Sequence, residues 1–439
     1  MSLKQATPRT ALLAAVAAAV LTLGGVDASS ATACVKAELD VQGMGSALQR
    51  VSQELWAAGY AAACPEEGDA AVGYDPVEGG LAAFRFIGAA AINHEFAFVG
   101  TDEPPSAAEI ENAVAATPKG AGEPIVFPVA QTAIAVLANP PGGCEIGGGI
   151  TWADLNRLFA GTMAEWGELA TANGSPACAA AIARVVQAEA TGTTYQFKNY
   201  LSLLEEERGA AGPGDVRVGG ECVEASWAQL RRVENVETGA PNTIWPENDC
   251  NEGTTPVIQV DGGVELAETV IEEEGSIGFV SLPDADAWGG GGTPVVPLQN
   301  GLREGEATFG LPEVPGEAAN CDGRKYTVPE DARRGIGDGI EVDWSTTFGA
   351  MPAIGGIGYP LCMLMFDAVW RDYVEAGYGK AANETIRPVV GDYFLGYVLD
   401  EEGQEDVDAD AYSPLPDSGG EGDPSNVLDA ARFALERLE

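Results

Sequence analysis

The stretch "QAEATGTTYQFKNYL" (Gln187–Leu201) opens with small residues, "ATGTT", and runs without a break into "YQFKNYL", whose aromatic and apolar residues recur at helical spacing. It predicts a helix starting near Thr191. First-turn backbone N–H groups have no partner inside a helix, and three hydroxyls, those of Thr191, Thr193 and Thr194, gather beside them. Such a helix end holds an anion with dipoles and needs no positive side chain. Here the residue at the head of the stretch, Gln187, is neutral, and the whole chain carries a formal net charge of -44.

Outward from this helix, strand and helix signals alternate. "GMGSALQRVSQELWAAGY" (Gly43–Tyr60) reads as a loop opening an amphipathic helix, with Leu48, Val51, Leu55 and Trp56 at helical spacing. "AAVGYDPVEGGLAAFRFIG" gives a short strand, a Gly-Gly loop and a helix start. "EFAFVGTDEPPSAAEIENAV" gives a strand ending at Thr101 and Asp102, then a helix capped near Ser106 with Glu109 three residues on. "IVFPVAQTAIAVLANPP" is β-branched and free of charge, as a buried strand is, and "TWADLNRLFAGTMAEWGEL" puts Leu155, Leu158 and Phe159 on one helical face. The alternation indicates an α/β protein with buried sheets covered on both faces. Anion sites in such sheets lie at the carboxyl ends of strands, so the loops carrying Ser46, Asp102 and Thr191 are placed to converge.

A chain of 439 residues exceeds one small domain and allows two lobes. Residues 1–33 read as a secretory signal: Lys4 and Arg9, the apolar run Ala11–Leu23, then Ala31-Thr32-Ala33 at the cleavage site. No other stretch is long and apolar enough to span a membrane, so the mature chain is expected to be exported, periplasmic or extracellular. With 23 basic against 67 acidic residues, nucleic acid and anionic lipid surfaces are poor partners. Scarce Lys beside abundant Asp and Glu suits a surface that stays hydrated in salt.

All eight cysteines follow the cleavage site and fall in sequence-local pairs: Cys34 with Cys64, Cys144 with Cys178, Cys222 with Cys250, and Cys321 with Cys362. This is the simplest of 105 connectivities. Cys34 could instead carry a lipid at the cleavage site, but that would leave an odd cysteine. The only histidine is His94, in "NHEFAF", without a second His for zinc or a Gly-x-Ser-x-Gly elbow for a hydrolase. "WGGGGTPVV" around Gly289–Gly292 lacks nucleotide-loop spacing, and "DEEGQEDVDADA" (Asp400–Ala411) lacks calcium-loop order and reads as a solvated loop. No enzyme, cofactor or metal site is indicated.

"QAEATGTTYQFKNYL" resembles the Ser-Gly-Thr-Thr…Phe…Tyr-Leu signature of the phosphate-binding proteins that serve ABC-type phosphate transporters. "FVGTDEPPS" (Phe98–Ser106) is similar to their Phe-Gly-x-Ser-Asp-x-Pro-Leu-Ser, and "TWADLNRLFAGTMAEW" to their Leu…Ile-Phe-x-Gly-x-Ile…Trp helix. "GVELAETVIEEEGSIGFVSL" and "YSPLPD" (Tyr412–Asp417) resemble later motifs in the family's order, with acidic insertions around 200–260 and 300–345.

The resemblance implies a hinged, two-lobed periplasmic-binding-protein fold of type II, with mixed sheets and helices on both faces. Lobe 1 would comprise 34–132 plus 360–439 and lobe 2 would comprise 133–359, with crossings near Pro128–Val136 and Tyr359–Met365. It implies a monomer that captures inorganic phosphate and hands it to an ABC permease. Asp102 would accept a hydrogen bond from protonated phosphate, Thr191, Gly192 and Thr193 would donate, and Ser46, Ala47 and Leu48 would add N–H donors. Gln187 stands where the family has an Arg, Glu189 where it has that Arg's Asp partner, and "VEGG" (Val77–Gly80), with Glu78, where it has a Ser. Arg85 or Arg184 is then the alternative source of positive charge. These departures keep open a different oxyanion or small polar solute, or an exported structural or interaction protein that has lost tight binding. A phosphomonoesterase comes third.

Overall fold

Strands and helices alternate in the computed structural model, which describes residues 34–35, 40–66, 70–77, 96–106, 108, 110–111, 124–233, 242–247, 249–287, 294–303, 306–313, 318–321, 326, 328–329, 344, 358–408, 411–417 and 426–438. First come β1 (Val41–Ser46), α1 (Arg50–Ala63), β2 (Val72–Val77), β3 (Phe98–Thr101), the long β4 (Pro124–Asn139) and α2 (Trp152–Phe159). The middle of the chain holds β5 (Ala183–Gln187), α3 (Gly192–Arg208), β6 (Gly214–Val218), β7 (Glu221–Ala225), α4 (Trp227–Leu230), β8 (Val257–Val260) and α5 (Gly262–Glu272). There follow β9 (Ser276–Ser281), α6 (Leu282–Ala287), β10 (Leu298–Arg303) and β11 (Glu306–Gly310). The last are β12 (Cys362–Trp370), α7 (Lys380–Tyr393), α8 (Glu401–Asp406), β13 (Tyr412–Ser413) and α9 (Val427–Leu435). The signal-like residues 1–33, Glu78, Arg85, His94 and the glycine run 289–292 lie outside the described residues.

The main sheet is mixed and runs β2-β1-β3-β12-β4-β9-β5-β8, with β13 also paired to β4. β4 stitches it together. Its first part, Pro124–Ala133, lies antiparallel to β12, and its second, Ile134–Asn139, lies antiparallel to β9. On the first side β1 is parallel to β2 and β3, and on the second β5 is parallel to β8 and β9. A strand with both faces covered cannot afford charge, and β4 has none over its whole length. Its two buried polar side chains are bonded: Gln131 Nε2 to the Pro414 carbonyl at 2.5 Å and Thr132 Oγ1 to the Ala411 carbonyl at 2.8 Å. Pro128 has no N–H to give, and the β4–β12 register slips by one residue beside it.

Each side has its own aromatic core. Phe98, Tyr393, Phe394 and Phe127 interlock on the first, and Phe159, Phe197, Trp245 and Phe279 on the second, where Phe197 and Phe279 stack at 4.0 Å. α1 packs on β2, α5 on β9 and β5, and α9 on β4. The four cysteine pairs Cys34–Cys64, Cys144–Cys178, Cys222–Cys250 and Cys321–Cys362 are all joined as disulfides. Each closes a loop of 28 to 41 residues, worth about 3 kcal/mol through the restricted unfolded chain. Among the described residues no helix is long and apolar enough to cross a membrane.

Two local readings change. Gly43–Ser46 is strand, not loop, because β1 needs glycines: a Cβ on Gly43 would lie 2.1 Å from the Phe98 ring. The acidic run after Asp400 is not a loop over its first half. It forms α8, with Gly403 and Gln404 buried, and Gln404 Nε2 donates to the carbonyls of Val398 and Val129.

Candidate functional site

A cavity of about 320 Å³ opens where four strands end. β1 ends in Ser46, β3 is followed at once by Asp102, β5 ends in Gln187 and β8 is followed by Asp261. All eight residues proposed from the sequence line it: Ser46, Ala47, Leu48, Asp102, Gln187, Thr191, Gly192 and Thr193.

Ser46 and Asp102 meet because the chain between β1 and its turn is made as thin as it can be. Gly45 has φ +147°, and a Cβ there would lie 2.1 Å from the Gly100 carbonyl oxygen, so only glycine lets β1 approach β3 this closely. The Ser46 hydroxyl then donates to Asp102 Oδ2 and accepts from the Leu48 N–H at 3.2 Å. Gln49, wholly buried, steadies the other carboxylate oxygen at 3.5 Å while bonding the carbonyls of Thr101 at 3.2 Å and Phe366 at 3.0 Å. Burial pushes the Asp102 pKa up to about 6, against the lowering pull of the Ser46 and Gln49 hydrogen bonds.

The facing wall is the first turn of α3. Thr191 is its N-cap: the hydroxyl accepts from the Thr194 N–H at 3.1 Å and donates to Gln187 Oε1 at 2.6 Å, and the Thr194 hydroxyl donates to the same oxygen at 3.2 Å. Gly209, at φ 65°, ends the helix in the left-handed conformation. Asn242, in the first acidic insertion, clamps the Thr191 backbone, accepting from its N–H at 3.4 Å and donating to its carbonyl at 3.2 Å. Behind this clamp the buried Lys198 ammonium donates to the carbonyls of Asn242 and Ile244, both at 2.6 Å, and lies 4.1 Å from the Trp245 ring. Burial lowers the Lys198 pKa well below the ordinary lysine range. The two walls touch: Gln196 Nε2 donates to the Asp102 carbonyl at 2.9 Å, and a Cβ on Gly192 would lie 2.3 Å from that of Asp102.

Arg184 does not supply the positive charge considered for it. It sits three residues before Gln187 on β5, an odd offset that puts it on the opposite face of the sheet. There it is fully buried and caps the carbonyls of Phe159 at 2.8 Å and of Pro246 and Thr255 at 2.6 Å. Burial brings its pKa down to about 10.

The third wall is the start of α5. The Gly262 N–H donates to Glu189 Oε1 at 2.7 Å, and Asp284 Oδ2, which accepts from the Ser281 hydroxyl at 2.7 Å, lies 2.1 Å from where a Gly263 Cβ would stand. Burial raises the Asp284 pKa, with the Ser281 hydrogen bond and the Arg50 charge opposing it. Exposed Asp261 and Glu265 stand at the rim. Among the described residues the lining therefore holds five carboxylates and no Lys or Arg.

No protein-family model matches this chain, and no curated protein does. Solved structures do. A DING protein superposes with a TM-score of 0.56 at 20% identity, covering 86% of this chain and 91% of that one. A human phosphate binding apolipoprotein gives 0.56 at 19% identity over the same shares. The phosphate-binding protein from Stenotrophomonas maltophilia gives 0.55 at 15%, covering 90% of this chain and 93% of its own. This chain has the phosphate-binding-protein fold.

Within that fold, the residues missed from the sequence are those of the α5 wall, Asp261 to Glu265 with Asp284, and the two amides behind the others, Gln49 and Asn242. The α5 wall left a signal: "VIQVDGG" is a strand followed at once by small residues and a helix, the same pattern that singled out Thr191. The Asn242 contact left none, since 51 residues separate it from Thr191.

Proposed function

We propose that this chain is an exported solute-binding protein that captures inorganic phosphate in the cavity and delivers it to an ABC permease. The observation that carries the reading is the pairing of Asp102 with the first turn of α3 across one small cavity. Donors on one wall and a fixed acceptor on the other suit a tetrahedral oxyanion that still carries a proton. The fold shared with proteins named for phosphate binding supports it. In this reading residues 34–132 with 360–439 and residues 133–359 are two lobes, and the partner switch of β4 at Ala133 and Ile134 supports a crossing there. The chain acts as a monomer, and the disulfides support an oxidising, exported location.

Phosphate accepts from the N–H groups of Gly192 and Thr193, from the Ala47–Leu48 turn and from the Gln187 amide, whose oxygen is already taken by two threonine hydroxyls. Asp102 accepts a hydrogen bond from the ligand's P–OH. Sulfate, lacking a proton, would leave that carboxylate facing an oxyanion. With five heavy atoms the ligand is limited to about -7.5 kcal/mol, near micromolar, and a neutral Gln187 in place of an Arg costs about 1–2 kcal/mol of that.

Titration calorimetry with phosphate, arsenate and sulfate tests this. Micromolar to tens-of-micromolar phosphate binding with sulfate at least tenfold weaker is the expected outcome. The absence of both heat and thermal shift at millimolar phosphate would sink it, and turnover of a chromogenic phosphomonoester would replace it with an enzyme. The absence of Lys and Arg among the described lining residues favours one second reading, a small polar solute without net charge, which neutral sugars and amino acids in the same titration would reveal.

A further inference from the structure

Granted phosphate as the ligand, the five carboxylates of the cavity need an account, because the ligand meets them on two walls with no positive side chain among the described lining residues. On the strand-end wall stands Asp102, with the buried Asp367 of β12 behind it. Gln53 Nε2 donates to Asp367 Oδ2 at 2.8 Å and to Gln49 Oε1 at 3.4 Å, and Gln49 reaches Asp102. Burial and the Asp102 charge both hold the Asp367 carboxyl well above the ordinary carboxylate range, burial being the larger cause. The phenols of Tyr74 and Tyr412, whose pKa values Asp102 also affects, are raised chiefly by burial and stay neutral.

On the α5 wall stand Asp284 and Glu189, with Asp261 and Glu265 at the rim. The cation acting on Asp284 is Arg50, which is exposed and shared with Glu54 at 3.3 Å. Among the described residues no three acids converge closely enough to hold a metal ion. A second negative charge on the ligand would therefore meet like charge at both walls, each such pair weakening binding on the order of 100-fold at contact distance. The ligand's own protons remove that penalty. Dihydrogen phosphate has two P–OH groups, which need acceptors, and two unprotonated oxygens, which need donors. The cavity has an acceptor carboxylate on each wall, Asp102 and Asp284, and the open first turn of α3 between them.

We infer that the cavity takes phosphate as its monoanion, H2PO4−, with Asp102 and Asp284 each accepting one ligand O–H, so that capture from alkaline solution is coupled to proton uptake. The step is HPO4(2−) plus one proton from solvent giving bound H2PO4−, and no bond to phosphorus forms or breaks. Glu189 is left to the Gly262 N–H, and Asp261 and Glu265 to water.

Calorimetry of the full mature chain with sodium phosphate, in two buffers of different ionisation enthalpy at about pH 5.5, 7 and 8.5, reads affinity and protons together. About one proton taken up per phosphate at the highest pH, less at the lowest, and affinity falling about tenfold per pH unit above neutrality is the expected result. Binding that is flat or tightens towards the highest pH, with no uptake, overturns the inference and leaves phosphate capture standing. No heat at any pH overturns both. Asp284→Asn, which keeps an acceptor for Ser281, is expected to bind at least about fivefold tighter than the parent at the highest pH and to take up fewer protons. An unchanged affinity and uptake would remove Asp284 from the role assigned to it.

Discussion

Two helices aim their N-termini at the same cavity, and the chain treats them in opposite ways. α3 has no acidic residue in its first turn, its cap is a neutral threonine, and the groups around it are hydroxyls and amides. α5 begins at Asp261, carries Glu265 in its first turn, and has Glu189 on the Gly262 N–H and Asp284 pressed against Gly263. The dipole is the same at both ends. What differs is that α5 has its anions built in, so only α3 is left for an anion from solution. An open helix N-terminus becomes a binding site by what the rest of the chain withholds from it.

The largest effect should come from the glycines of the two ends. Gly192 stands against Asp102, and Gly192→Ala forces the α3 wall away from β3. Phosphate affinity is expected to fall at least about 100-fold, corresponding to about 3 kcal/mol of overpacking. Gly262 also lines the cavity but has nothing within 4 Å of its absent Cβ; its φ of +79° is the only obstacle. Gly262→Ala should cost about 1–2 kcal/mol in chemical denaturation and leave affinity within about threefold. Equal affinity losses in the two variants would end the distinction between the walls.

Asp102→Asn comes next. At about pH 5.5, where the ligand in solution is already the monoanion, losing a charged acceptor should weaken phosphate about 5- to 30-fold while sulfate binding holds or improves, and unchanged selectivity would remove Asp102 from the site. The same variant has a pH signature without ligand. A carboxylate whose pKa rises from 3.8 to about 6 on folding contributes stability that is complete below the unfolded value and is lost as pH rises through the folded one. Asp102→Asn should therefore gain about 2–3 kcal/mol relative to the parent between about pH 4 and pH 7 in denaturant titrations. A stability difference independent of pH would show that burial does not hold this group.

A smaller loss tests the support behind α3. Asn242 is one of only two described non-glycine residues with positive φ, at 55°, so Asn242→Gly removes the side-chain clamp on Thr191 without adding backbone strain. Affinity is expected to drop about fivefold at temperatures well below unfolding, whereas a purely structural Asn242 would lower the melting point and leave the affinity alone.

These residues also mark how far the sequence could be read. α3 was legible because its start and face are local chemistry, Thr191 and Gly192 ahead of a helical run; Asp102 was legible as the residue following an apolar strand, and Ser46 as part of a loop opening a helix. β1 was not, since four of its residues are the "GMGS" that looks like a turn; the Phe98 ring and the Gly100 backbone select those glycines, and they lie more than 50 residues away. Arg184 could have been set aside from sequence, because an odd offset from Gln187 on one strand decides its face. Nothing in the spacing of the α5 acids marks them as a site, and the convergence of β8 with β1, β3 and β5 turns them into a wall of the cavity. The Asn242 clamp depends on an insertion folding back over α3, which no local pattern encodes.

The smallest expected effect runs in the opposite direction, towards tighter binding. Glu265 is exposed, sits in the first turn of α5 and repels an incoming anion through water rather than by contact. Glu265→Gln makes the α5 end resemble the α3 end by one charge, and phosphate should bind about two- to fivefold tighter at low ionic strength. At about 0.15 M salt, where screening acts over about 8 Å, most of the gain should vanish. A gain that persists in salt would mean that Glu265 touches the ligand, and weaker binding would mean that the α5 wall takes part in holding it rather than in limiting its charge.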